Sequence, residues 1–175
     1  MNYSNLSNEE RKKISNERQN AVRHAWKLEC ERVKSGQGTR IWSKDQQEEL
    51  MTRGSVRGFE GHHMKSVSLY PEYAGEPCNI QFLTEEEHLY GAHQGNYHNL
   101  TNGYYDPYNK VMTEFEGEEL PNVPEMDLSN EEAELQTIIN EDYDAESTND
   151  ELSNAETEIS QGNENSNDES DGYEV

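Results

Sequence analysis

Residues 57–99 read RGFEGHHMKSVSLYPEYAGEPCNIQFLTEEEHLYGAHQGNYHN, and the rest of the chain is best understood outward from them. The stretch holds five of the six histidines: an adjacent pair, His62 and His63, then His88, His93 and His98. Imidazole is a common ligand for divalent metals, and it also titrates near neutral pH. Such a concentration points to metal binding, proton transfer, or both. Adjacent residues on an extended backbone point to opposite sides, so His62 and His63 can serve different partners.

Local signals place these histidines on an ordered series of elements. Apolar and polar residues alternate from Met64 to Leu69, which predicts a strand, and SLYPEYAGEPC is a turn-rich loop. Ile80 to Leu83 predicts a second strand. Thr84 with Glu87 forms a capping box, so a short helix is expected from Glu85 to about Gly91. His88 and His93 stand five apart, a step that turns about 140° away from one α-helical face. For both to reach one ion, the helix must stop at Gly91 and the chain must curl back there. His98 is the rival for that third position.

Before this stretch, the sequence predicts helices between residues 7 and 54. Ser7 and Glu10 form a capping box and Gly36 supplies a stop. Between them Ile14, Ala21, Val22, Ala25, Trp26, Glu29 and Val33 recur at the spacing of one helical face, which should cover a core. His24 beside that face is expected to be a partly buried structural histidine. A second box, Ser43 with Gln46, opens a helix from Lys44 to Arg53, closed by Gly54. Arg40, Arg53 and Arg57 could face a nucleic-acid backbone or be merely solvated or salt-bridged.

Charge divides the chain. All 14 Lys and Arg lie between Arg11 and Lys110, and residues 1–110 hold 15 of the 37 acids, so nearly all of the net charge of −23 resides in the C-terminal part. Past Lys110 the acid-, Ser- and Asn-rich composition predicts a mostly disordered acidic tail over 111–175, with one helix conceivable from Ser129 to Asn140. Such a tail could compete with nucleic acid for the active face. Two separated cysteines, Cys30 and Cys78, form neither a disulfide framework nor a thiolate zinc motif. No apolar run suggests a signal peptide or a membrane span, so a soluble product, cytoplasmic when made, is expected.

The series Glu60-Gly61-His62-His63, then Asn79, then His88 and His93 resembles the HNH endonuclease superfamily. More narrowly, GTRIW, EGHH, NIQFLT, EHL and TNGYYDP, spread from Asn20 to Pro107, resemble the GHH or GH-E nuclease domains of bacterial polymorphic toxins. The resemblance implies an α+β fold: N-terminal helices packed on a ββα-metal core at 57–99, together a nuclease domain over 1–110. It also implies roles. His62, His88 and His93 would hold one divalent ion (Mg²⁺ or Zn²⁺, with Mn²⁺ and Ni²⁺ also acceptable to imidazole), and His63 would be the general base. Asn79 would fix the loop and orient that base, and Glu60 matches an acid of colicin-type nucleases.

Arg57, Lys65 and Asn96 are candidate substrate contacts, although each also has an ordinary surface or turn reading; the same holds for Gln94 and Asn99. The implied function is hydrolysis of nucleic acid, DNA before RNA, by a toxin-type endonuclease. A cognate immunity protein is an implied partner, and delivery to a target cell an implied route. A free-standing effector and a detached end of a larger toxin fit equally well. The competing reading is a non-catalytic nucleic-acid- or protein-binding module on a remnant of the same scaffold.

Overall fold

The computed structural model describes residues 6–117 and 123–128. Helix α1 runs from Asn8 to Lys34, opened by the expected reciprocal box between Ser7 and Glu10. It buries Ile14, Ala21, Ala25, Glu29 and Val33, positions that share one face. The sequence places an acid at the centre of that face, and its burial requires partners. Glu29 Oε1 has them: it accepts from Thr39 N and Trp42 Nε1, each at 2.7 Å. Helix α2, Lys44–Arg53, starts on the Ser43–Gln46 box and ends at Gly54 with φ 77°. His24 is exposed rather than half-buried, because it lies just off the buried stripe.

Three two-stranded antiparallel sheets complete the fold. Strand β2, Phe59–His63, pairs with β3, Ile80–Thr84, with His62 opposite Gln81 and His63 opposite Ile80. The first strand therefore contains the histidine pair instead of following it at Met64–Leu69. Beyond His63 the ladder gives way to side-chain bonds from Asn79 and to a turn in which Leu69 N and Tyr70 N donate to Ser66 O. Burial does not alternate in that segment, since Met64, Lys65 and Val67 are buried and Leu69 is exposed, and its pairing is limited to an isolated bridge between Lys65 and Asn102. The other pairs are β4, Gly103–Asp106, with β5, Val111–Glu114, and β1, Gln37–Gly38, with β6, Met126–Asp127.

The principal core gathers Trp42, Leu50, Val56, Ile80 and Phe82 with Ala21, Ala25 and Val33 of α1, and Trp26 is stacked on Phe82 at 3.7 Å between ring centres. Leu128 joins this core. Ordered structure thus continues past the boundary expected after Lys110, through β5 and β6, because Val111, Met112 and Leu128 can pair or pack despite their acidic neighbours. The acidic stretch from Ser129 onward, including the helix expected at 129–140, lies outside the described residues, as do residues 118–122. Among the described residues no helix is long and apolar enough to cross a membrane.

After β3 the chain enters the helix expected from the Thr84–Glu87 box, and Thr84 Oγ1 does accept from Glu87 N. From Glu87 to Ala92, however, it is a π-helix, in which His93 N donates to His88 O at 3.0 Å. A π turn closes over five residues. The five-residue step that misses one face of an α-helix consequently returns to it here. Gly91 is not a left-handed cap; a Cβ there would collide with the Tyr105 ring. The positive φ values fall later, at Gln94 and Gly95.

Candidate functional site

Strand alternation separates the histidine pair, and the π turn brings the later two toward His62. The rings of His62, His88 and His93 form a near-equilateral triangle with centroids 4.9–5.0 Å apart. One ring nitrogen from each lies within 4.8 Å of the other two. His98 is exposed and stands outside this group, its backbone N–H bound to Asn96 Oδ1.

The hydrogen bonds show which nitrogens are available. His88 Nδ1 pairs with Glu60 Oε2 at 3.0 Å, and His93 Nδ1 pairs with Asn99 O at 2.8 Å. Both rings therefore keep Nε2 for the interior of the triangle. His62 Nε2 is buried with no hydrogen-bond partner, and such an orphaned polar atom costs about 1–3 kcal/mol unless something fills the position. A divalent ion fits that requirement. Tetrahedral coordination at about 2.0–2.1 Å would set the three nitrogens about 3.4 Å apart, so a small inward movement completes the set.

Electrostatics favour the neutral, ligating form. Burial, followed by His88, His93 and His63, pushes His62 well below the usual histidine range. Burial and, more weakly, His88 lower His93 against the opposing Asn99 carbonyl. These imidazoles resist protonation, which is the state a metal ligand needs.

His63 faces the other way. Its Nε2 lies 3.2 Å from Ala74 O; donation from this atom leaves Nδ1 as the free base. Burial lowers its pKa to about 4, with Arg18 contributing in the same sense and the Ala74 carbonyl opposing. The carbonyl is held by the loop that Asn79 fastens. Fully buried Asn79 accepts from Lys65 N at 2.9 Å and donates to Lys65 O and Tyr73 O at 3.1 and 3.4 Å. One side chain thus ties the end of β2 to the residue before Ala74.

The remaining expected residues are distributed differently. Glu60 touches His88 only through its Nδ1, on the outer side of the triangle. Lys65 is fully buried, its Nζ donating to Gly117 O at 2.9 Å and lying 4.9 Å from the Tyr70 ring centre; it is a core cation, unavailable to a phosphate. Arg57 is spent on Glu49 at 3.2 Å, and Asn96 caps the local turn at His98 N. Arg40 forms a two-pronged pair with Glu87 at 2.7 and 2.8 Å, anchoring the π turn to the segment before α2.

Two contacts were not foreseen. Tyr97, half exposed, lies 5.3 and 5.6 Å from the His88 and His93 rings and so stands at the rim of the triangle. Arg18 is the other. It lines a cleft of about 540 Å³ between α1 and β2, into which His63 also opens. Spacing within 57–99 could have flagged Tyr97, which follows His93 by four, but Arg18 carries no local signal.

Comparison with known proteins agrees with part of this picture. Residues 8–84 match the family described as GHH-signature-containing HNH/Endo VII superfamily nuclease toxins. The match takes in α1, Glu60 to His63 and Asn79, and ends before His88. Curated relatives include teneurin-3 of Mus musculus, 37% identical over 83 residues, or 47% of this chain and 3% of that protein. Teneurin-4 of Homo sapiens is 34% identical over 83 residues, with the same coverage. Teneurin-m of Drosophila melanogaster is 40% identical over 63 residues, 35% of this chain and 2% of that protein. The chain thus spans only about 3% of the length of these relatives. Residues 8–84 are thus similar to the GHH-signature nuclease toxin family, and the matched segment holds the Gly61-His62-His63 motif.

Proposed function

We propose that this protein is a metal-dependent endonuclease of toxin type, built on a ββα-metal centre formed by β2, β3 and the π turn. The observation that carries the reading is the triangle of His62, His88 and His93, with the His62 Nε2 buried and unpartnered. These three residues would hold one divalent ion. When bound, such an ion neutralises charge that develops on the phosphate and on the leaving oxygen.

His63 is then the general base, taking a proton from the attacking water at Nδ1 while Ala74 O holds Nε2–H. A pKa of about 4 keeps it deprotonated at neutral pH. An anionic phosphodiester beside it would raise its proton affinity during the reaction. Asn79 positions the base through the Tyr73–Ala74 backbone, and Glu60 positions His88 as carboxylates commonly do for metal-ligating histidines. Three neutral ligands admit Mg²⁺, Mn²⁺, Ni²⁺ or Zn²⁺. Similarity to that family over residues 8–84 favours DNA over RNA, and it suggests delivery as an effector and a cognate immunity protein.

The test is cleavage of plasmid DNA and of a structured RNA with EDTA or each of the four metals, wild type beside His63→Ala. Metal-dependent cleavage lost in the variant, with metal affinity retained, is the expected result. Cleavage of neither substrate with any metal would overturn the nuclease reading in favour of a binding module.

A further inference from the structure

Of the basic residues on the histidine-rich stretch, Lys65 is buried and Arg57 is paired with Glu49 at the surface; before the stretch, Arg40 is paired with Glu87. Another element carries basic side chains that have no carboxylate partner among the described residues. Helix α1 crosses β2 closely, since a Cβ on Gly61 would sit 2.8 Å from both γ-methyl carbons of Val22. That crossing sets Ser15, Arg18, Gln19 and Arg23 along one wall of the cleft whose other wall is Gly61 and His63. Ser15 to Arg18 is a step of three, and Ser15, Gln19 and Arg23 are steps of four, which presents them along one side of the helix.

Within this wall Arg18 is exposed and has no hydrogen bond or ion pair among the described residues. Arg23 is exposed as well and is held only by local contacts to Gln19 O and Asn20 Oδ1. Glu17, the neighbouring acid, is paired with Lys13 at 3.7 Å. The cleft therefore combines uncompensated guanidinium charge, a serine and a glutamine as hydrogen-bond donors, and the histidine read above as the base.

We infer that the cleft between α1 and β2 is a binding groove for the sugar-phosphate backbone of a nucleic-acid strand, with Arg18 as its principal phosphate contact and Arg23 and Gln19 flanking it. The inference rests on the nuclease reading for the role of His63, but it assigns substrate binding to α1 instead of to Arg57, Lys65 and Asn96. A fork of guanidinium donors suits a phosphate better than a point charge does. Backbone contact of this kind carries no sequence preference.

The test uses the full chain in EDTA, so that nothing is cleaved, and a fluorescein-labelled 20-base-pair duplex followed by anisotropy across a KCl series. Arg18→Gln is expected to weaken binding about eightfold at 0.1 M salt and to reduce the slope of log K against log salt by about 0.9, the signature of one lost phosphate contact. Arg18→Lys should keep the slope, and Arg53→Gln, remote from the cleft and paired with Glu49, should change neither quantity. With metal present, Arg18→Gln should raise KM more than it lowers kcat. Unchanged affinity and slope in Arg18→Gln would overturn the proposal while leaving the nuclease reading intact if the wild type still cleaves. Loss of duplex binding in that variant, with no cleavage by the wild type, would uphold the groove and sink the nuclease reading. Wild-type protein that ignores the duplex but binds a polyglutamate peptide through Arg18 would make the cleft a protein-docking site and overturn the inference.

Discussion

Gly61→Ala tests the packing on which the whole site depends. The added Cβ would meet Val22 Cγ1 and Cγ2 at 2.8 Å each and Ile80 Cγ2 at 3.2 Å. Rotation of Val22 gives no escape: of the two staggered positions that flank the new carbon, any χ1 rotamer fills at least one. Overpacking of this kind costs about 1–3 kcal/mol. Gly61 lies in β2 without a positive φ, so alanine also removes freedom from the unfolded chain and recovers about 0.4–1 kcal/mol. The net expectation is a loss of about 1–2 kcal/mol. Val22→Ala alone should cost about 1 kcal/mol, because a half-buried pair of methyl groups is lost. In the double variant only the 3.2 Å approach to Ile80 remains, offset by the gain from the unfolded chain, and stability should equal that of Val22→Ala within about 0.5 kcal/mol. Urea unfolding of all four proteins in EDTA measures the cycle. Strict additivity, or a Gly61→Ala variant as stable as the wild type, would refute the claim that α1 and β2 touch here.

Three further outcomes are expected at the site. Asn79→Ala should lower stability by about 2–5 kcal/mol, since it strands the buried backbone groups of Lys65; a midpoint unchanged in urea would contradict the clamp seen at Tyr73 and Lys65. Glu60→Ala should weaken divalent-ion binding about tenfold, measured by competition with a chromophoric chelator, whereas His88→Ala should nearly abolish it; equal losses would remove the positioning role. In metal-free solution His63 binds its proton with a pKa of about 4 folded and near the usual 6.5 unfolded. The unfolded state therefore takes up more protons between these values, so stability is complete above about pH 6.5 and falls as pH drops toward 4, by about 3 kcal/mol from this group. His63→Gln should flatten that profile between pH 7 and 4.5, and an unaltered slope would argue against a buried neutral His63.

The legible part of the fold is the part written in local chemistry. Capping boxes at Ser7, Ser43 and Thr84 start helical segments where expected, and the stripe from Ile14 to Val33 gives the buried face of α1. The order His62, His88, His93 is likewise readable, because ligand type and sequence order survive any detail of backbone. What escaped depends on tertiary packing. Gly91 looks like a helix stop, yet it is small to admit Tyr105, a residue 14 positions away. Lys65 looks like a strand-edge lysine, but the Gly117 carbonyl and the Tyr70 ring draw it inside. Arg57 looks free until Glu49 is seen beside it. Arg18 precedes the signature by more than 40 residues and gains meaning only where α1 crosses Gly61.

The π turn also bears on how such a centre tolerates change in length. A turn that closes over five residues differs from an ordinary helical turn by one inserted residue. Tyr90, 67% exposed on the outside of that turn, is a position whose removal would leave His88 and His93 four apart, again on one face of a regular helix. The His93–Asn99 clasp and the Arg40–Glu87 anchor lie outside the excised position. Loss or gain of a single codon can therefore interconvert the two spacings while three imidazoles still converge. The spacing of His88 and His93 can therefore change by one residue without parting the rings, whereas the glycine under Val22 and the asparagine that clamps the loop are fixed by direct contact.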